Sequence, residues 1–191
     1  MATKPALEHW TYAEYARLPD DGNRYEIIAG ELHVTPSPRP QHQHVLVPMI
    51  EAMGPFVREH ELGTIYPGPV DMLFATTDYL VPDLVFVRAE RSDIVTDRGI
   101  ESAPDLIVEV ISPSSVLRDR GLKRERYARF GVPLYWIVDL ELRHIEVYRL
   151  LHDPDGPAEI VRDELVWQPV PDGPSLTISV PFIVGPVSRR T

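Results

Sequence analysis

The sequence contains no cysteine among its 191 residues, which excludes a disulfide, a thiol nucleophile and a thiolate metal site. It also lacks any apolar run near the roughly 20 residues that a membrane-spanning helix requires. Because the first residues lack the apolar stretch of a secretory signal, we expect a cytoplasmic protein without a membrane partner. The hydrophobic fraction of 43% is ordinary for a globular chain, and we expect one domain over residues 1–191.

Positive charge is scarce, and lysine is scarcer still. The formal net charge is −10, so a nucleic-acid partner would need a local basic patch rather than the surface as a whole. Of the 19 basic residues only Lys4 and Lys123 are lysines. Genomic composition accounts for the preference for arginine. It does not account for the position of the one internal lysine.

Helical patterns occur at three places. Thr11 and Glu14 have the spacing of a capping box for a short helix over residues 11–18. Apolar residues at helical spacing predict a helix over Pro40–His60, which we expect Pro48 to kink or shorten. The clearest pattern predicts a helix over Ser114–Phe130, between Pro113 and Gly131.

Short, branched and apolar segments bounded by Pro, Asp or Gly predict strands. With 20 prolines in the chain, these elements should be short and their turns rigid. The pattern as a whole predicts an α/β protein. The predicted strands are Arg24–Ile28 and Glu31–Thr35 around a turn at Ala29-Gly30, then Val70–Phe74, Leu80–Val87, Asp105–Ile111, Leu134–Val138, His144–Arg149, Leu165–Trp167 and Leu176–Val180.

Glu109 is a carboxylate in a strand that otherwise reads as core. Side chains alternate along a strand, so Glu109 shares a face with Ile107 and Ile111. A buried carboxylate must be protonated, paired or bound to a metal. The sequence therefore predicts either a structural ion pair or a functional group at this position.

Asp83 is the second candidate, because it follows Pro82 at the entry of the strand Leu84–Val87. Turn chemistry alone explains an Asp after a Pro. A neighbouring strand would, however, bring Asp83 and Glu109 to one hard cation such as Mg²⁺. Asp105 has the same context, but it lies four residues before Glu109 on the same strand. At about 13 Å it is too far away to share a metal.

Lys123 is the third candidate. At 100° per residue it shares its helix face with Val116, Asp119, Tyr127 and Phe130, and that face should pack on the sheet. A lysine stem can snorkel out of an apolar stripe, which is the structural explanation. The functional one is a compact ammonium near Glu109, where charge develops during catalysis.

These residues lie in a series of sequence blocks that together resemble the PD-(D/E)XK phosphodiesterases. More closely, the chain resembles the Uma-two family of restriction-endonuclease-like proteins over nearly its whole length. The resemblance implies a restriction-endonuclease-like mixed β-sheet core flanked by helices, with extra N- and C-terminal strands. The blocks are Arg24-Tyr-Glu-Ile-Ile-Ala-Gly-Glu-Leu, His42-Gln-His, Val81-Pro-Asp-Leu-Val-Phe-Val, Ala103-Pro-Asp-Leu-Ile-Val-Glu-Val-Ile-Ser-Pro-Ser, Asp119-Arg-Gly-Leu-Lys-Arg-Glu-Arg-Tyr-Ala-Arg-Phe-Gly-Val-Pro, Tyr135-Trp-Ile-Val-Asp and Glu146-Val-Tyr.

The chain departs from the superfamily pattern at one position. That pattern has a lysine two residues after the Glu, where this chain has Ile111. The resemblance implies that Lys123 reaches the site from the following helix instead. It also matches Glu31 as a third carboxylate and His44 as a residue of the cleft, although a surface or capping histidine is the alternative for His44.

The activity implied by the resemblance is hydrolysis of DNA. Asp83 and Glu109 would hold Mg²⁺ or Mn²⁺, and Lys123 would position water or stabilise the charge of the transition state. The segment Ser114–Phe130 contains six basic residues and only two acidic ones, Asp119 and Glu125. This local surplus of positive charge predicts either a phosphate-binding patch or an ordinary solvated helix face.

Two other functions remain open from the sequence. One is a binding module of the same fold that has lost useful catalysis and binds nucleic acid or protein. The other is self-association through the proline-rich C-terminal strands, and a homodimer is also open. Convergence of Asp83, Glu109 and Lys123 within reach of one metal ion would discriminate between catalysis and these alternatives.

Overall fold

The computed structural model describes residues 9–35 and 40–185, so Lys4 lies outside the described part. The helices there are α1 (Tyr12–Tyr15), α2 (Pro40–Glu59), α3 (Arg124–Arg129) and α4 (Val180–Val184), with a 3-10 segment (Ala89–Ile94) and a π-helical segment (Arg118–Lys123). The strands there are β1 (Arg24–Ile28), β2 (Glu31–Thr35), β3 (Gly63–Pro67), β4 (Met72–Ala75), β5 (Asp78–Leu80), β6 (Leu84–Arg88), β7 (Val95–Thr96), β8 (Gly99–Ile100), β9 (Leu106–Ile111), β10 (Leu134–Asp139), β11 (His144–Arg149), β12 (Glu159–Val161), β13 (Glu164–Trp167) and β14 (Leu176–Ser179).

The central sheet has the strand order β12-β11-β10-β9-β6-β3. Within it β9 and β10 are parallel, with Glu109 paired to Ile137, and the other pairs are antiparallel. All six residues of β9 are buried, which is the pattern of a strand covered on both faces. A mixed sheet with an otherwise apolar middle strand therefore carries Glu109.

The outer sheet has the order β2-β1-β5-β4-β8-β7 and covers one face of the central sheet together with α3. The opposite face packs against α2, the β13–β14 hairpin and α4. This layered α+β arrangement of mixed sheets flanked by helices confirms the predicted fold class. The predicted hairpin at Ala29-Gly30 is also present, and both turn residues have the positive φ that a tight two-residue turn requires.

The predicted strand Leu80–Val87 is wrong as one element. The chain forms β5, which belongs to the outer sheet, and then β6, which belongs to the central sheet. The break falls at Val81-Pro82-Asp83, where proline has no N–H to donate to a ladder. The crossing between the sheets therefore places Asp83 at the entry of β6.

The structure also changes the bounds expected for two helices. Pro48 does not shorten α2, which runs through Pro48 and Pro55 as one element of 20 residues. The predicted helix Ser114–Phe130 begins later, because the N–H groups of Ser115 and Val116 first close a turn on the Ser112 carbonyl. It then passes through the π-helical segment, which runs directly into α3.

No helix in the described ranges combines the length and the apolar character that crossing a membrane requires. The predicted C-terminal strands form β13 and β14, and their buried residues Leu165, Trp167 and Ile178 belong to the core of the same chain.

Candidate active site

Asp83 and Glu109 lie side by side on neighbouring strands. In the antiparallel pair β6–β9, Leu84 stands opposite Val108, so Asp83 is next to Glu109 in register. Side chains two positions apart on a strand lie on the same face, so Asp83 shares a face with Val85 and Glu109 shares a face with Ile107. Val85 and Ile107 belong to one core cluster, and both carboxylates therefore lie on the same face of the sheet. The N–H of Val110 donates to Asp83 Oδ2 at 2.8 Å.

Lys123 reaches this face from the π-helical segment. Its Nζ lies 2.8 Å from Glu109 Oε1 and 2.7 Å from Glu26 Oε1, and the residue is 2% exposed. One turn later the hydroxyl of Tyr127 donates to the same Glu109 oxygen at 2.8 Å. Lys123 is therefore in direct hydrogen-bond contact with Glu109, whereas Ile111, in the usual lysine position, is buried among apolar side chains.

Asp83 is held by two further side chains. Arg24 Nη1 donates to Asp83 Oδ1 at 3.1 Å, and His42 Nε2 lies 2.8 Å from Asp83 Oδ2. Since an ionised carboxylate only accepts hydrogen bonds, Nε2 of His42 carries the proton in this contact. The start of β1, the start of α2 and the turn before β6 thus meet at one carboxylate.

The two carboxylates have opposite pKa shifts. Burial raises the pKa of Glu109 to about 8, opposed by Lys123 and assisted by the negative charges of Asp83, Asp119 and Glu26. Burial acts in the same direction on Asp83, but the hydrogen bonds from His42 and Val110 and the charge of Arg24 hold its pKa below the usual value.

The charge of Lys123 follows from its two partners. Burial alone would lower its pKa, but the attraction of Glu109 and Glu26 outweighs burial and raises it above the ordinary lysine value. A protonated Lys123 carries one positive charge, which balances only one of the two carboxylates in contact with it. If both were ionised, one negative charge would be left unbalanced. The raised pKa of Glu109 is the electrostatic consequence of that burial and excess.

Two of the predicted site residues lie outside the cluster, and a nearby residue in each motif lies inside it. Glu26 contacts Lys123, but Glu31 is exposed at the turn end of the hairpin, where it pairs with Ile28, two positions from Glu26. His42 contacts Asp83, but His44 is exposed, because two residues on a helix differ by about 200° in direction. The alternation of β1, which puts Glu26 on the same face as the buried Ile28, was the signal available for Glu26.

Most basic residues of the predicted helix Ser114–Phe130 have partners within the protein. Arg126 is buried and paired with Asp78, and Arg120 bonds Glu146 and Asp139. Arg118 donates to Thr35 Oγ1 at 2.9 Å, and Arg124 donates to the carbonyls of Pro154 and Gly156. With Lys123 also paired, five of the six basic residues already bond groups of the protein itself, and Arg129 is exposed.

A second acidic cluster lies beside Arg120, three residues before Lys123 on the same helix. Ligand atoms of Asp139, His144 and Glu146 lie within 4.8 Å of one another, and all three residues are buried. The guanidinium of Arg120, however, already bridges both carboxylates. Asp139 Oδ1 also accepts the N–H groups of residues 141 and 142, which caps the turn between β10 and β11. Arg120 therefore takes the position of the cation here.

The site geometry defines a class of protein. A mixed sheet that carries a carboxylate pair on adjacent strands, with a lysine in contact with one of them, is the arrangement expected of a nuclease-like domain. Residues 12–181 match the Uma2 family, described as "Putative restriction endonuclease". The chain belongs to this family.

One solved structure supports the fold. It is described as "a putative nuclease" from Anabaena variabilis, and it matches with a TM-score of 0.73 at 18% sequence identity. The match covers 91% of this chain and 97% of that chain. At this identity the likeness shows a shared fold. No curated protein matches the chain.

The donor set fits a hard divalent cation. Glu26, Asp83, Glu109 and Asp119 face three cationic side chains, those of Arg24, Arg118 and Lys123, so these carboxylates outnumber the cations once Glu109 gives up its proton to a ligand. Glu109 Oε2 accepts no hydrogen bond from any residue that the structure describes. Carboxylate oxygens are the ligands that Mg²⁺ takes, in small number, together with water.

Proposed function

We propose that this protein is a metal-dependent endonuclease that hydrolyses phosphodiester bonds of DNA, with Asp83 and Glu109 as ligands of Mg²⁺ or Mn²⁺. When bound, the cation supplies a Lewis acid for the phosphate and lowers the pKa of bound water. The observation that carries the proposal is the contact of Lys123 with Glu109 on the face that Asp83 shares. Glu31 and His44 are not included, because their exposed positions give them no contact with this cluster.

The protein residues have separate tasks in this proposal. Glu109 Oε1 is fixed by Lys123 and Tyr127, which leaves Oε2 for a ligand. Asp83 is held ionised by His42, the Val110 N–H and Arg24. Lys123 keeps its proton between Glu26 and Glu109, so it acts as a cation that orients water or stabilises developing charge rather than as a base.

The test is cleavage of plasmid DNA by the full chain with Mg²⁺ or Mn²⁺. We expect slow, metal-dependent cleavage that stops in Glu109→Gln, which keeps the shape of the side chain and removes its charge. Phe182→Ala, which alters an exposed ring on α4, is the control for preparation and folding. Cleavage that continues in excess chelator, or in a folded Gln variant, would contradict the mechanism and favour a contaminating nuclease.

A folded wild type that cleaves no DNA with either metal would instead support the non-catalytic binding module. The observation in favour of that second function is burial. Asp83 is 2% exposed and Glu109 is 3% exposed, so the reacting phosphate must approach from the few atoms that reach the surface.

A further inference from the structure

A cleft of about 300 Å³ lies against the outer side of the site. Its lining includes Arg24, Gln43 and Val81. These residues belong to the three segments that hold the carboxylates: Arg24 bonds Asp83, Gln43 follows His42 on α2, and the N–H of Val81 donates to Glu26 Oε1 at 2.9 Å. A ligand in the cleft would therefore contact Arg24, the partner of Asp83, although Asp83 and Glu109 do not themselves line the cleft.

The lining of the cleft has a specific chemistry. Tyr15 and Tyr25 contribute half-buried aromatic rings, and Asn23 and Gln43 contribute exposed amides that can donate and accept hydrogen bonds. Asp71 adds an acceptor suited to an exocyclic amino group. Rings for stacking together with amides for hydrogen bonds are what recognition of an unpaired base uses.

Arg24 connects the cleft to the site. Its Nη1 donates to Asp83, and its other N–H groups make no hydrogen bond with the described residues. The side chain is 19% exposed. A guanidinium that lines a cleft with free donors matches the geometry of a phosphate group. A nucleotide would thus place its base among the tyrosines and its phosphate at Arg24.

Size and charge limit the ligand further. A volume of 300 Å³ is at the lower end of small-molecule sites, about 300–1,000 Å³, so it accommodates one nucleotide rather than a duplex. Arg120 and Arg126 of the helix 118–129 are paired with carboxylates of the protein and the net charge is −10, so few basic groups remain for the backbone contacts that dominate duplex binding.

We propose that this cleft binds one unpaired nucleotide next to the scissile phosphate, so that the preferred substrate is single-stranded nucleic acid. This inference rests on the proposed nuclease function for its biological meaning, but binding tests it without catalysis. Because stacking on an aromatic ring contributes much of the affinity for single strands, Tyr25 is the residue expected to carry the preference.

The experiment measures binding of the full chain to fluorescent oligo(dA), oligo(A) and the oligo(dA)·oligo(dT) duplex by anisotropy, in chelator so that no strand is cut. We expect both single strands, or one of them, to bind at least about tenfold more tightly than the duplex, a difference of about 1.4 kcal/mol. The two single-stranded arms identify the sugar. Equal affinity for single strands and duplex, or no binding to any probe, would overturn the proposal.

Variants of Tyr25 separate stacking from structure. Tyr25→Ala should weaken single-strand binding about tenfold, whereas Tyr25→Phe keeps the ring and should retain the affinity although it loses the 2.7 Å bond to Asp21. Phe182→Ala removes a ring outside the cleft and should change nothing. Unchanged affinity in a folded Tyr25→Ala would overturn the inference.

The failure of this inference differs from failure of the proposed function. If the single-strand preference and its loss in Tyr25→Ala are observed but no substrate is cleaved with metal, the nuclease proposal is contradicted and the nucleotide-binding role of the cleft is supported. If DNA is cleaved but duplex and single strand bind with equal affinity, the role of the cleft is contradicted and the nuclease proposal is supported.

Discussion

The raised pKa of Glu109 makes the stability of the protein depend on pH in a direction that an ordinary ion pair would not. The pKa of the Glu109 carboxyl is 4.5 in an unfolded chain, and burial raises it to about 8 in the folded one. Between these values the unfolded state loses its proton and the folded state keeps it, so unfolding becomes easier as pH rises. A pKa that differs by one between the two states corresponds to about 1.36 kcal/mol, which gives at most about 5 kcal/mol over the whole window.

Glu109→Gln removes this dependence. The amide oxygen can still accept the hydrogen bonds of Lys123 and Tyr127, and it carries no charge at any pH. We therefore expect the stability of the variant relative to wild type to increase by about 1.4 kcal/mol per pH unit from about pH 5 to about pH 8. Near neutral pH the variant should be the more stable protein, although it should be inactive.

Urea unfolding followed by tryptophan fluorescence measures this difference, because Trp136 and Trp167 are buried in the core. Glu146→Gln is the control of opposite sign. Burial opposes ionisation of Glu146, but hydrogen bonds from Arg120, Tyr148 and His144 hold its pKa below the usual value. The ionised Glu146 carboxylate therefore stabilises the folded state at pH values above its unfolded pKa, and this stabilisation is lost as the pH falls. Because Glu146→Gln removes the charge, it should destabilise the protein at neutral pH.

The refuting result is a Gln variant at position 109 that is less stable than wild type by a constant amount across the pH range. Removal of one partner from a buried ion pair costs about 3–5 kcal/mol, and that outcome would identify Glu109 and Lys123 as a structural ion pair. Added Mg²⁺ gives a second measurement. Since a metal ligand must be deprotonated, stabilisation of wild type by Mg²⁺ should increase with pH and be absent in the variant.

Three further predictions follow from the burial or exposure of single residues. Lys123→Arg should lose most DNA cleavage and about 1–3 kcal/mol of stability, because a guanidinium overpacks a fully buried position. Cleavage equal to that of wild type, assayed below the melting temperature, would contradict a role of Lys123 in catalysis. Gly68→Ala should lower both stability and activity, because a Cβ there collides with the Pro82 carbonyl beside Asp83, whereas Gly121→Ala, where nothing lies within 4 Å, should be tolerated in the same melting and cleavage assays. His44→Ala should keep wild-type cleavage and change stability by less than about 0.5 kcal/mol, and a large loss of activity would place this exposed residue in contact with substrate.

The parts of the fold that depend on local pattern were predictable. The apolar β9 and the hairpin at Ala29-Gly30 form as their sequences predict. The strand predicted over Leu80–Val87 failed because periodicity reports burial and not sheet membership, so β5 and β6 read as one element. Strands as short as β7 and β8 have two residues each, which leaves no period to detect.

The sequence predicts a site contact where the direction of a side chain follows from local helix or strand geometry. It does not predict a contact that depends on a partner far away in the sequence. The face of Lys123 follows from helical geometry, even through the π-helical segment. The inward turn of Arg126 depends on Asp78, 48 residues earlier, and that of Arg120 on Glu146, 26 residues later. A single sequence gives no sign of such pairings, so these arginines read as surface residues.

The position of the lysine also changes what controls the chemistry. A lysine on β9 would be in place whenever the central sheet is folded. Lys123 is in place only when the helix 118–129 is docked, and this helix is anchored to both layers, through Asp78 in the outer sheet and Glu146 in the central sheet. In the proposed mechanism, a ligand or partner that shifted the helix would withdraw the cation from Glu109 and leave the two proposed metal ligands on their strands, so that metal would bind without cleavage.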